Sequence, residues 1–283
     1  GRGLVRTSQD FGFQGDAPTH PELLDYLAVD FMENGWSMKQ LHKQIVLSQV
    51  YRQSSQVSPE ALAIDPDNRW LSRGPRVRLD AEVIRDQALA VARLLSQKRG
   101  GPSVFPPQPA NVTTEGAYRA LAWNVSQGED RFRRSLYTFT KRTSPFALTA
   151  TFDAPSGEAC VARREITNTP LQALSLLNDV TFMQAARELG KRTQLESGED
   201  RAKLARLFRQ ILIRPAMDDD LDDLLGYLAR QRVRLREGEL HVREIALEAS
   251  DEAEESSSDC LLDRAAWTLV ARVLMNLDEF ITK

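Results

Sequence analysis

Histidine and cysteine, the residues that most often carry metal sites and nucleophilic catalysis, are scarce in this chain: three histidines and two cysteines in 283 residues. His20, His42 and His241 form no H-E-x-x-H or H-x-H group, and Cys160 and Cys260 make no C-x-x-C pair, so no metal-ligand spacing is present. The two thiols allow one disulfide or two free cysteines, which leaves the redox compartment open. No G-x-S-x-G elbow, Gly-rich phosphate loop or dinucleotide fingerprint occurs. No apolar run approaches the roughly 20 residues needed to span a bilayer. A net charge of -3 argues against a dedicated nucleic-acid binder, whose affinity comes from clustered Lys and Arg. Only a local basic patch remains, around Arg131, Arg133, Arg134, Lys141 and Arg142.

What is present is helical periodicity. Leu24, Leu27, Ala28 and Phe31 give the i, i+3, i+4, i+7 stripe of a half-buried helix. Gly35 stops it, and Ser37 restarts the chain into a second helix, which implies a helical hairpin with Trp36 plugging its open end. Three entries fit capping boxes: Thr19 to Glu22, Ser37 to Gln40, and Thr169 to Gln172. Residues 52–79 hold Ser, Pro and Gly punctuation with a turn of helix at 59–64, and Asp65, Asp67 and Asn68 read as turn chemistry rather than a calcium loop.

A longer helix is predicted from Asp80, with Ile84, Ala88, Val91 and Leu95 on one face and Gly100-Gly101 at its end. Residues 102–116 read as a proline-rich loop. The alternation in residues 135–143 makes that segment the best strand candidate. After Thr169, Leu171, Leu174 and Leu177 bury one side, and Asn178-Asp179 divides two consecutive helices. Leu204, Leu207, Phe208, Ile211 and Leu212 mark another helix, and Leu221, Leu224, Leu225 and Leu228 the next. An acidic, Ser-rich run at 248–259 reads as a mobile loop, followed by a final helix through Leu269 and Leu277 to Phe280. The expected fold is mainly α, an irregular multi-helix bundle with long polar loops and at most a small β element. It is read as one domain over 1–283, with a subdivision conceivable near 195.

Two polar concentrations are the candidate sites. His20 follows a Gly-rich, acid-bearing approach with Asp10 and Asp16, so an acid/base role is chemically open to these three, against the plain reading of His20 as a helix-entry residue. The second is Asp153 with Arg163 and Arg164, where paired arginines could clamp a carboxylate, sulfate or phosphate. The plain alternative is local salt bridging. The tryptophans read as packing residues, with a sugar-stacking platform left open for Trp123.

Several stretches together resemble a planctomycete-specific C-terminal domain of unknown function, found downstream of a planctomycete-type cytochrome c domain and a further uncharacterised domain. They are GRGLVRT at 1–7, DFGFQGDAPTHPELLDYLA at 10–28, GWSMKQLHKQIVLSQVYRQSS at 35–55, RLDAEVIRD at 78–86, RRSLYTF at 133–139, TNTPLQALSLLND at 167–179 and AWTLVARVLMNLDEF at 266–280. The resemblance implies export to the periplasm or cell surface, and a chain cut from a longer multidomain protein. It also implies haem only on the upstream domain, since this chain has no C-x-x-C-H, and that cytochrome c-type domain as partner. Two readings follow: a helical binding or scaffold module, or an enzyme domain acting on a complex or sulfated polysaccharide with an acid/base site near His20.

Overall fold

A computed structural model describes residues 3–109, 122–142, 145–248 and 257–283. The chain is mainly α and divides into two compact units. The first comprises Gly1–Arg78, Val161–Arg163 and Thr282–Lys283, and the second Leu79–Cys160 and Arg164–Ile281. In sequence the first of these units runs to Arg78, and the second begins at Leu79.

The first unit holds α1 (Pro21–Glu33), α2 (Met38–Leu47) and α3 (Pro59–Ile64). Gly35 and Trp36 both take positive φ, and that left-handed pair reverses the chain from α1 into α2. Ser37 caps α2 by accepting from the Gln40 N–H. The reciprocal half of that capping box is not formed; the Gln40 amide donates to Asn34 Oδ1. The box predicted at Thr19 is absent as well. His20 is the N-cap of α1 and makes no side-chain cap bond, while the Thr19 hydroxyl donates to the Leu4 carbonyl. Trp36 lies edge-on to Phe31, with ring centroids 5.3 Å apart. It stays 65% exposed, so it plugs nothing.

In the second unit, α4 (Ala81–Val91) and α5 (Ala147–Thr151) precede α6 (Pro170–Asn178) and α7 (Val180–Leu195). The remaining helices are α8 (Asp200–Leu212), α9 (Asp218–Arg236), α10 (Val242–Ala246), α11 (Ser258–Met275) and α12 (Asp278–Ile281). The final segment is built around α11, which packs on α6, α7, α8, α9 and α10. A helix covered on several sides must be apolar around much of its circumference, and α11 buries Leu261, Ala265, Ala266, Trp267, Leu269, Val270, Ala271, Leu274 and Met275. The Ala-rich run and Gly190 of α7 let the two backbones approach closely.

Helix α4 ends nine residues before the predicted Gly100 stop. Arg93 takes φ 59, and the N–H groups of Leu94 and Leu95 both turn back to the Leu89 carbonyl, which closes the helix end in the manner of an αL cap. The 135–142 segment is no strand: Ser135–Tyr137 is a 3-10 turn, and only isolated bridges join Val104 to Thr138 and Ser96 to Arg133. Two buried arginines hold this irregular region. The Arg85 guanidinium donates to the Arg133 and Arg131 carbonyls and to Ser135 Oγ. Arg133 donates to the Pro102 and Gly100 carbonyls and lies 3.9 Å over the Tyr137 ring. Arg133 is thus removed from the predicted surface basic patch. Burial pushes the Arg85 guanidinium down to about 10, so it is still charged at neutral pH, with carbonyl dipoles around it.

The strip of the predicted loop at 110–116, residue 143 of the predicted strand, and 249–256 of the acidic run lie outside the described residues.

Candidate functional site

The N-terminal segment of the first unit is a self-bonded loop. The Asp10 carboxylate accepts from the Gly12 N–H at 2.9 Å, and the Thr7 hydroxyl donates to the Asp10 carbonyl while accepting from the Asp16 N–H. Gly15 lies so close to Asp10 that a β-carbon would meet the Asp10 carbonyl oxygen at 2.2 Å, so the turn has no space for a side chain there. The Asp16 carboxylate takes the Arg6 Nε at 2.8 Å in an ion pair open to solvent, a geometry whose net stabilisation is about 0–1 kcal/mol.

Against this loop lies a hollow of about 360 Å³ whose lining includes Arg6, Asp16, Thr19, Asp67, Asn68 and Arg69. Of the three sequence candidates only Asp16 reaches it. His20 contributes Nδ1 to a 3.0 Å contact with the Thr19 hydroxyl. The same hydroxyl donates to the Leu4 carbonyl, so His20 is tied to the N-terminal loop through Thr19. Asn68 and Arg69 were missed as site residues by the sequence reading. The local signal was the turn itself: Asp65 accepts the Arg69 and Trp70 N–H groups, Asn68 accepts from Ser72 and Arg73, and Asn68 takes φ 52.

The second group of candidates is divided. Arg163 belongs to the first unit, and Asp153 and Arg164 to the second. The Arg164 fork grips Glu82 at 2.5 and 3.2 Å, which holds the guanidinium above its ordinary range. Asp153, at φ 61, accepts from the Thr167 N–H and hydroxyl, both at 2.8 Å. These contacts tie the stretch leading into α6. One face of Trp123 is taken by Phe146, which it stacks on with an interplanar angle of 4°; the ring also meets Phe105 edge-on and donates to the Pro106 carbonyl. Cys160 and Cys260 are both free thiols. Among the described residues no group of three or more His, Cys, Asp and Glu could hold a metal ion. None of the described helices is long and apolar enough to cross a membrane.

The first unit differs from the second in what it leaves uncovered. Among its described residues only Asp65 and Gly74 are buried, so no hydrophobic side chain of α1, α2 or α3 reaches a buried core. On α1, Leu23, Leu24, Tyr26, Val29 and Met32 stand exposed. On α2 the exposed residues are Met38, Ile45, Val46 and Leu47, and Phe11, Phe13 and Trp36 add to the same unit. The predicted stripe of α1 is present, but Leu27 and Phe31 are only half-covered and Leu24 and Ala28 are exposed. Scattered apolar side chains are ordinary on a surface, whereas a concentration of this extent marks an interaction face.

Residues 1–228 match the model of the PSD1 family, described as a protein of unknown function (DUF1553). The chain belongs to the PSD1 family. No curated protein matches it, and no solved structure does.

Proposed function

We propose that the chain is a binding module whose first unit docks another protein domain through the exposed faces of α1 and α2. The single observation that carries this reading is that three helices bury none of their hydrophobic side chains. Folding gains little from helices left in water, because helical stability comes chiefly from packing an apolar face. A covering domain supplies that burial. At roughly 25 cal/mol per Å² of apolar surface removed from water, covering even a few of these side chains is worth several kcal/mol before association costs.

The occupant we assign is the upstream cytochrome c-type domain of the same protein, the neighbour implied by the resemblance to planctomycete proteins, with export to the periplasm or cell surface following from the same resemblance. Haem then resides on the partner and none is held here. An acid/base enzyme built on His20, Asp16 and Asp10 finds no comparable support, since Asp16 is held by Arg6 and only Asp16 of the three lines the hollow. The test is calorimetric titration of this chain with the cytochrome c-type domain produced separately. Binding that the combined changes Tyr26→Ser, Met32→Ser and Trp36→Ser weaken at least tenfold, and that Leu195→Ser in the second unit leaves unchanged, supports the assignment. Absence of binding overturns it.

A further inference from the structure

A second cavity of the first unit carries chemistry that the docking face does not. It has a volume of about 930 Å³ and lies between the segment after α2 and the stretch leading to Arg78. Its position is fixed by Gly74, whose N–H donates to the Ser54 carbonyl and whose lack of a side chain is required, since a β-carbon would stand 2.6 Å from the Gln53 carbonyl oxygen. Arg73, Arg76 and Arg163 line the cleft, and Asp67 is the one acidic side chain among its lining residues. Lys283 lines it too, so the cationic side chains of the cleft outnumber its one acidic side chain.

The arginines are fixed to different degrees. Arg73 Nη2 donates to the carbonyls of Asp65 and Pro66, both at 2.9 Å, which anchors its guanidinium at the wall. Its Nη1 is shielded from water and has no hydrogen-bond partner, as is Gln53 Oε1 of the same cleft. Polar groups shielded in this way are normally satisfied. Asp65 offsets part of the Arg73 charge, though its carboxylate oxygens accept from the Trp70 and Arg69 N–H groups. Arg163 enters from a distant part of the sequence and is exposed. Between these cations the walls carry Val50, Tyr51, Leu71 and Val77.

A guanidinium group recognises sulfate and phosphate oxygens in pairs, which a lysine does not. An apolar wall contributes only if the ligand has a body to lay on it, and a cleft of this size suits a small organic molecule. We infer that this cleft binds an organic oxyanion, a phosphate or sulfate ester whose charged group meets Arg73, Arg76 and Arg163 while its body covers Tyr51 and Leu71. The inference does not rest on the docking proposal: the arginines that meet the charged group lie outside α1 and α2, although Ile45 of α2 lines the same cleft.

The test is calorimetric titration of the whole chain with phenyl phosphate and, separately, phenyl sulfate, alongside inorganic phosphate, inorganic sulfate and phenol. At least one ester binds, and the preferred ester tells phosphate from sulfate recognition. It binds several-fold more tightly than its inorganic ion, phenol shows no binding, and raising the salt weakens the interaction. Arg163→Gln and Arg76→Gln, both at exposed positions, each reduce affinity about tenfold with the circular dichroism spectrum unchanged, and Arg163→Lys recovers part of the loss. If neither ester binds, or if both glutamine variants bind as the parent does, the inference fails. Equal binding of the ester and its inorganic ion would remove the organic body from it.

Discussion

Gly190 of α7 and Thr268 of α11 lie so close that a β-carbon on the glycine would stand 2.4 Å from the Thr268 hydroxyl oxygen and 2.7 Å from its backbone nitrogen. Both are buried, and the Thr268 hydroxyl already donates to the Arg264 carbonyl. Neither backbone can yield cheaply, because α11 is packed by other helices on its remaining sides. Gly190→Ala is expected to destabilise the second unit by about 1–3 kcal/mol, the usual range for overpacking, as read by urea denaturation. Gly226→Ala is the matched control. There the new β-carbon meets only the end of the Arg230 side chain at 3.3 Å, and the change should be neutral or stabilising by up to about 1 kcal/mol.

Arg85 supports irregular backbone from inside. Its three partners, two of them carbonyls, come from the stretch between Arg131 and Ser135. Arg85→Met fills similar space but leaves those acceptors in a dry interior. A loss on the order of 3 kcal/mol is expected, and near-ultraviolet circular dichroism should report disorder around Trp123, whose aromatic neighbours Phe105 and Phe139 follow the same irregular path.

Two aspartates give opposite pH dependences. Hydrogen bonding to Arg232 holds the Asp200 carboxyl below its ordinary value of 3.8. A depressed carboxyl contributes stability above its unfolded pKa, and that contribution is lost as pH falls through the lowered folded value. Burial raises Asp179 above 3.8, so the folded state binds the extra proton and stability falls as pH rises through the window just above 3.8. In thermal melts between pH 2.5 and 7, Asp200→Asn should flatten the acid limb. Asp179→Asn, which keeps an acceptor for the Thr181 N–H, should raise Tm at neutral pH relative to acid.

Arg164→Gln should cost no more than about 1 kcal/mol, since its pair with Glu82 is partly open to solvent and such pairs are worth little. If Arg164 binds no ligand, phenyl phosphate and phenyl sulfate titrations of this variant will match those of the parent, unlike Arg163→Gln.

Much of the helical pattern was legible in the sequence because short-range chemistry decides it. The break between α6 and α7 falls at Asp179, which caps the second helix by accepting from the Thr181 N–H, and the stripes of α8 and α9 bury Leu204, Leu207, Ile211, Leu221, Leu224 and Leu228 as expected. The failures came from distant partners. Alternation at 135–142 suggests a strand, but Arg85, about fifty residues away in sequence, accepts no such pairing and draws the chain into a 3-10 turn through Ser135 and the Arg133 carbonyl. Arg163 and Arg164 look like one clamp in sequence, yet the division between units passes between them. The three acid/base candidates near α1 were close in sequence, but the turn made by Gly12 and Gly15 directs Asp10 onto its own backbone. Nothing in residues 10–20 announces Asn68 and Arg69 as their neighbours.

The central claim is that α1 and α2 are covered by a partner domain, and hydrogen–deuterium exchange reads it most directly. The amides of residues 21–47 should exchange rapidly in the chain alone, since these helices bury no side chain, and slow at least tenfold on adding the upstream cytochrome c-type domain, with α7 and α11 unchanged. Exchange at 21–47 that is already slow in the chain alone, or that the added domain leaves as it was, would contradict the account.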